Sequence, residues 1–323
     1  MKIVCLGTGP FAVPTLERLC QGPHEVAAVV TRPERSASSR RKVPPAPMRL
    51  AAEAHGITVL APASVNVDEG LEFLQSRQAD LLFVCDYGEI LKPAALAAAR
   101  LGGINLHGSL LPRHRGAAPV HAAILAGDAA TGVSVIHMTP GLDAGPVLAV
   151  RSTEIGEHEN QVELEDRLSR LGVDAVLEAI DLLSVWDGVS PIGQPQDPAL
   201  VTRAPRLRKE QGRIDWRQSA IVIDRQIRGL QPWPGCDSLL MRPCDEQPLR
   251  VLMERAEVAD DHPQSSTPGA IVEASKSGLW IATGDGVLRV LKVKPEGKRA
   301  MEVADFINGT PLPDGSRFVS AVD

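Results

Sequence analysis

Aromatic side chains make up only 3% of this 323-residue chain, with a single tyrosine among them. Any core must be built from Ala, Val, Leu and Ile, which a 44% hydrophobic content can supply. Cysteine is scarce and unpatterned. Cys5, Cys20, Cys85, Cys236 and Cys244 are odd in number and scattered, with no CxxC spacing. That argues against a disulfide framework and against a cysteine-held zinc site. No run of 18 apolar residues occurs, so no membrane span is expected. The opening MKIVCLGTG lacks the apolar stretch and small-residue cleavage site of a secretory signal. The expected compartment is reducing and cytoplasmic, and the expected state is a monomer. An excess of basic charge is missing too. The net charge is −6, and residues 205–323 carry 17 basic and 17 acidic side chains, so the acidic surplus lies before them. Bulk charge does not mark a nucleic-acid binder; contact with a polyanion must use a local patch.

What is present is an alternation of strands and helices. KIVCL (2–6), EVAAVV (25–30), ITVL (57–60), DLLFVC (80–85), GINLH (103–107) and TGVSVIHM (131–138) read as strands. Between and after them, helical spacing covers 10–20, 48–55, 68–77, 93–100, 118–127 and 161–186. Continuous apolar strands alternating with helices predict a parallel sheet covered on both faces. The stretch DGVSPIGQPQDPA (187–199) is rich in Pro, Gly, Asp and Gln and reads as a connector. Beyond it one helix (218–229) is followed by short β runs, with an Asp-Gly hairpin signal in TGDG (283–286). The expected architecture is α/β. A Rossmann-like, doubly wound, mostly parallel sheet domain spans 1–188, a linker spans 189–205, and a small β-barrel domain spans 206–323.

Two suggestive patterns carry little. LGTGPFA (6–12) matches G-x-G-x-x-A between a strand and a helix, where a dinucleotide fingerprint would sit. The acidic residue expected about 20 positions on is absent; Thr31 and Arg32 stand there. An arginine can take a 2′-phosphate, but Pro10 removes an amide donor from the helix start. The turn reads as a tight strand-to-helix connection that needs glycine, and no nicotinamide cofactor is expected. His107, His114 and His121 recur every seven residues, yet on a strand, a loop and a helix, so no shared metal is expected. Cys5 reads as core.

The chemistry gathers in INLHGSLLPRHRGAAPVH (104–121). On a strand, residues i and i+2 point the same way, so Asn105 and His107 share a face. They do so at the C-terminal end of a parallel strand, where open α/β sheets bind ligands. A histidine there is either satisfied by the backbone or catalytic. A neighbouring amide donor suits an oxyanion and proton transfer at a carbonyl carbon. Asp143, between Gly141 and Gly145 in TPGLDAGPVL (139–148), either orients His107, receives a proton, or closes an Asx turn. Spacing alone reaches an α/β enzyme acting on a carbonyl group.

The run Asn-x-His-x-Ser-Leu-Leu-Pro at 105–112, with the later Gly-Leu-Asp-x-Gly, resembles the core of the formyltransferase family that uses 10-formyltetrahydrofolate. The similarity extends along nearly the whole chain. RIDW (213–216), QPWPG (231–235), and ATGDGVLRVL with KPEGKRAM (282–301) resemble the tail of the branch that formylates methionyl initiator tRNA. The resemblance implies a catalytic trio of Asn105, His107 and Asp143. It implies that Ser109, Leu110, Leu111 and Pro112 line a folate pocket, and that Cys85, Asp86, Tyr87 and Gly88 border the pterin. It implies a tRNA grip by Arg35, Arg40, Arg41 and Lys42 in the loop at 31–47, with Lys298 and Arg299 in an OB-like tail. Lys292 and Lys294 would add to the salt dependence of that contact. The same trio also serves family members that hydrolyse formyltetrahydrofolate or formylate amino sugars. This chain departs at two places: Ser39 falls where the family's inner loop arginine stands, and His114 where a tryptophan is common.

Overall fold

The structure is a computed structural model that describes residues 1–33, 44–243, 245–259 and 267–320. Arg35, Ser39, Arg40, Arg41 and Lys42 lie outside the described residues. The chain divides into two compact units. One holds Met1–Pro119, Ala129–Glu154 and Leu164–Pro205; the other holds Val120–Asp128, Ile155–Glu163 and the chain from Arg206 onward.

In the first unit the strands are β1 (Lys2–Leu6), β2 (Glu25–Val30), β3 (Val59–Leu60), β4 (Leu81–Val84), β5 (Gly103–His107), β6 (Arg115–Gly116), β7 (Ala130–His137), β8 (Val147–Glu154) and β9 (Arg203–Ala204). Seven form one sheet, in the order β3-β2-β1-β4-β5-β7-β8, while β6 and β9 pair separately. The five strands from β3 to β5 are parallel, and β7 and β8 add an antiparallel edge. Ile3 to Leu6 and Leu81 to Phe83 have no solvent-accessible surface. Strands covered on both faces cannot alternate apolar with polar, which is why they read as unbroken apolar runs. From β1 the chain goes to β2 and β3 on one side, then to β4 and β5 on the other. This is the topological arrangement that opens a crevice at the strands' carboxyl ends.

The helices are α1 (Val13–Cys20), α2 (Pro47–Ala54), α3 (Asp68–Ser76), α4 (Pro93–Leu96), α5 (Pro119–Ala126) and α6 (Gln161–Ser184). Helix α4 is shorter than the spacing predicts. The amides of Arg100 and Leu101 are taken by the carbonyls of Ala79 and Asp80, just before β4, so the helix cannot continue. Strand β8 was not expected. It lies on the sheet edge, and its second half, RSTE, is polar enough to pass for loop. Residues 189–205, expected as a linker, belong to the first unit and are bridged to it by Gln194 opposite Val147. Leu106 of β5 lies against Gly172 of α6, so Asn105 and His107 point to the opposite face of the sheet.

In the second unit, α7 (Ala220–Gly229) precedes β10 (Cys236–Met241), β11 (Leu249–Ala259), β12 (Ile271–Ser275), β13 (Gly278–Ala282), β14 (Val287–Pro295), β15 (Met301–Glu302), α8 (Val303–Gly309) and β16 (Arg317–Val319). The sheet runs β12-β13-β14-β11-β10-β16, with β15 beside β14, and every pairing is antiparallel. It curls until its ends meet: Ala270 bridges Arg317, and the Phe318 amide donates to Gly269 O at 2.8 Å. The core combines aliphatic side chains with Trp216, Phe306 and Phe318. The buried Trp216 ring satisfies its N–H on Ser238 Oγ at 2.8 Å. Leu125 of α5 packs against this core, which explains why 120–128 joins the second unit rather than the first. The expected hairpin closes at Thr283–Gly286, with Ala282 opposite Val287. Among the described residues, no helix is long and apolar enough to cross a membrane.

Candidate active site

β5 carries Asn105 at its centre and His107 at its end. Asn105 is half-buried, and its side-chain amide has no hydrogen-bond partner among the described residues. His107 is 6% exposed. Its Nε2 lies 2.9 Å from the carbonyl oxygen of His114. A carbonyl only accepts, so Nε2 carries the hydrogen and the neutral ring keeps its lone pair on Nδ1. Nδ1 faces Asp143 Oδ2 at 3.8 Å. That is too long for a direct hydrogen bond but close enough for the carboxylate to act on the ring electrostatically. Burial lowers the His107 pKa below the ordinary imidazole value, with Asp143 opposing the shift. The ring is therefore neutral at pH 7 and titrates on Nδ1.

Asp143 is 9% exposed and adopts φ 50°. Its Oδ2 accepts the Gly116 amide at 2.9 Å. The sequence offered three roles for this aspartate, and the structure places its carboxylate against His107. The other expected site residues fall around these two. Ser134 Oγ, on β7, donates to Ser109 O at 2.8 Å and accepts the Leu111 amide at 3.0 Å, fixing the 109–112 loop. The Ser109 hydroxyl is buried and donates to Arg113 O at 2.6 Å, so it shapes the loop rather than facing solvent. Leu110, Leu111 and Pro112 keep partial exposure.

The loop 85–88 follows β4, beside β5. Cys85 and Tyr87 are buried, and burial pushes the Cys85 thiol well above its ordinary pKa. Asp86 and Gly88 are the exposed members. Desolvation by the surrounding protein, with the charge of Glu165, pushes the Asp86 carboxyl up to about 6. The glycine turn after β1 packs on this loop. A Cβ at Gly7 would lie 2.8 Å from the Cys85 carbonyl oxygen, and one at Gly9 would meet the Asp86 carboxylate, so the turn favours glycine at both positions. Arg32, the residue weighed in the sequence for a 2′-phosphate, donates to Ala63 O at 3.0 Å and pairs with Glu89 at 2.7 Å.

In the second unit Lys294, Lys298 and Arg299 are exposed; Lys292 is half-exposed and lies 3.6 Å from Glu254. A separate cavity of about 390 Å³ in that unit is lined by α7 residues and by 155–158, with none of the three expected catalytic residues. Arg228 is tied there to Asp224 at 2.8 Å and to Glu159 O at 2.9 Å. Convergent polar groups, not concavity, therefore mark the candidate site. Among the described residues, no group of three or more His, Cys, Asp or Glu is arranged to hold a metal ion.

Sequence reasoning missed Ser134, Gln196 and Thr202. Ser134 had a signal: a lone hydroxyl inside an apolar strand must find a partner. Gln196 and Thr202 had none, because their segment looks like any polar connector. His114 contributes through its backbone carbonyl, which any side chain would offer, so the departure from tryptophan leaves this contact intact.

Comparisons with known proteins give the family and the fold. Residues 1–180 match the family model described as formyl transferase, and residues 206–311 match the formyl transferase C-terminal domain. A methionyl-tRNA formyltransferase of Rhodopirellula baltica is 47% identical, over 99% of this chain and 97% of that protein. One of Xanthomonas euvesicatoria is 43% identical, over 95% and 97%. Among solved structures, a sugar 3N-formyl transferase, WlaRD, crystallised in the presence of dTDP and 5-N-formyl-THF, superposes with TM-score 0.65 at 15% identity, covering 93% of this chain and 99% of that one. HypX from Aquifex aeolicus, in complex with tetrahydrofolic acid, gives 0.62 at 17% identity, covering 97% of this chain and 48% of that one.

Proposed function

The chain belongs to the formyl transferase family, and on that premise we propose that it moves the formyl group of 10-formyltetrahydrofolate to the α-amino group of methionine esterified to initiator tRNA. The product is N-formylmethionyl-tRNA. The observation that carries the reading is the pairing of an unpartnered Asn105 amide with the open Nδ1 of His107 on one strand face. The near-complete coverage of relatives named for this activity selects the acceptor.

The nucleophile asks little of the protein. A free α-amino group has a pKa of about 7.7–8.0, and an ester neighbour lowers it further. The amine attacks the formyl carbon, forming a C–N bond and a tetrahedral oxyanion. Asn105 Nδ2 donates to that oxygen. His107 Nδ1 takes a proton from the attacking nitrogen, and Asp143 stabilises the imidazolium that results. The proton passes to the folate N10 as the C–N10 bond breaks, leaving tetrahydrofolate. Oxyanion donors act where charge develops, in a site whose dipoles are already oriented.

Leu110, Leu111 and Pro112 form one wall of the folate site, and Asp86 and Gly88 border the pterin. Lys298 and Arg299, with Arg35, Arg40, Arg41 and Lys42, contact the tRNA backbone. The test mixes the protein with 10-formyltetrahydrofolate, with and without methionyl initiator tRNA, and follows tetrahydrofolate release. Turnover is expected only with the charged tRNA. Turnover without it would mean hydrolysis, and no turnover in either case would redirect the search to amino-sugar acceptors.

A further inference from the structure

Residues 194–204 look like a connector, yet they hold both neighbours of the His107 ring. On one side, Gln196 Nε2 donates to Asp143 O at 2.8 Å and to Gly145 O at 2.7 Å. Its Oε1 accepts Arg115 Nε at 3.0 Å and Nη2 at 2.7 Å. The next amide, Gly116 N, is the one that holds the Asp143 carboxylate. Gln194 anchors the segment by pairing in both directions with Val147, 2.8 Å each way. On the other side, Thr202 Oγ1 accepts the His114 amide at 2.8 Å, and the His114 carbonyl takes the His107 Nε2 hydrogen at 2.9 Å.

Two residues of this arrangement sit where side chains rarely go: Asp143 at φ 50° and His114 at φ 59°. A left-handed conformation at such residues needs partners that hold it. Gln196 meets the first and Thr202 the second. The short β6–β9 pairing fixes the spacing, since a Cβ at Gly116 would lie 2.3 Å from Ala204 O.

We infer that residues 194–204 form a positioning strap of the active site. Gln196 sets the distance of the Asp143 carboxylate from His107 Nδ1, and Thr202 sets the carbonyl that fixes the tautomer of the ring. The inference rests on the catalytic trio proposed above, not on the identity of the acceptor. Gln196 and Thr202 touch no reacting atom; they act through Asp143 and His114.

The test uses the full chain and two readouts, steady-state kinetics and an NMR titration of the His107 ring. Gln196→Ala is expected to lower kcat by about 10–100-fold, the effect of a small misplacement of a reacting group, with KM for both substrates within about twofold. The His107 titration should move to lower pH, because Asp143 raises it; the hydrogen bond to the His114 carbonyl raises it too and is left in place, while burial and the charges of the His114 ring and Arg115 act the other way. In an Asp143→Asn background the same substitution should shift the titration far less, since the coupling is gone. Thr202→Val should lose the Nε2–H signature of the ring, and Thr202→Ser should restore it. Should Gln196→Ala fail to fold, Gln196→Asn, which keeps the amide but shortens its reach, is read by the same criteria. Unchanged kcat and unchanged titration in a folded Gln196 variant would overturn the strap. So would an equal titration shift in both backgrounds. The titration needs no substrate, so failure of the tRNA assignment leaves its result standing.

Discussion

Asn105 presents an amide with no partner among the described residues, and two positions on His107 has one ring nitrogen committed and one open. Asn105→Ala should therefore lower kcat by about 10²–10³, the usual effect of losing one oxyanion donor. KM for either substrate should move little, and steady-state kinetics at saturating folate checks this. For His107 the sign follows from its burial. Its folded pKa is depressed, so it contributes stability that is present above the ordinary value of about 6.5 and lost as pH falls through the folded value. Urea titrations at pH 7.5 and pH 5 should show the parent chain losing more stability than His107→Gln, which has no such group to charge. Both residues were legible in the sequence because a strand's period of two leaves no choice about which side chains share a face. Asp143 was only half legible. Its glycine neighbours announced an unusual turn, but nothing local says what the turn faces.

At the scale of elements, the parallel strands were readable for the same reason that they are stable. They are buried on both faces, and each must be apolar throughout. The end of α4 and the whole of β8 were not. The Arg100 and Leu101 amides, which lie beyond the helix, are captured by the approach to β4, and the edge strand carries polar residues on half its length. Ser134 links element to site, since one hydroxyl serves both Ser109 O and the Leu111 amide. Ser134→Ala strands two polar groups, which costs roughly 1–3 kcal/mol per buried group. Chemical denaturation should show a loss of that order. KM for formyltetrahydrofolate should rise as the 109–112 loop loosens, with the methionyl-tRNA KM nearly unchanged.

For the whole molecule, a net charge of −6 means that attraction for a polyanion must be local. Lys298 and Arg299 project from an exposed turn after β14. Replacing both with Ala should weaken tRNA binding uniformly across sequences and flatten the plot of log K against log salt by about one to two units, close to one unit per lost phosphate contact. Folate binding should stay as it was. Affinity and slope both unaltered would remove these two residues from the interface. Arg40→Ala with Arg41→Ala gives the matching measurement for the basic loop.

The sequence by itself determined the parallel strands and β7, the shared face of Asn105 and His107, the family, and the β-rich second unit. Each of these depends on local periodicity or on a contiguous motif. Only the tertiary structure decided where α5 belongs, what Asp143 faces, and that a polar connector reaches the neighbours of His107 on two sides. Those facts depend on pairs far apart in the chain, such as Gln196 with Asp143 and Thr202 with His114. A glutamine in a proline-rich stretch has the same local physics whether it faces water or a carbonyl 53 residues away.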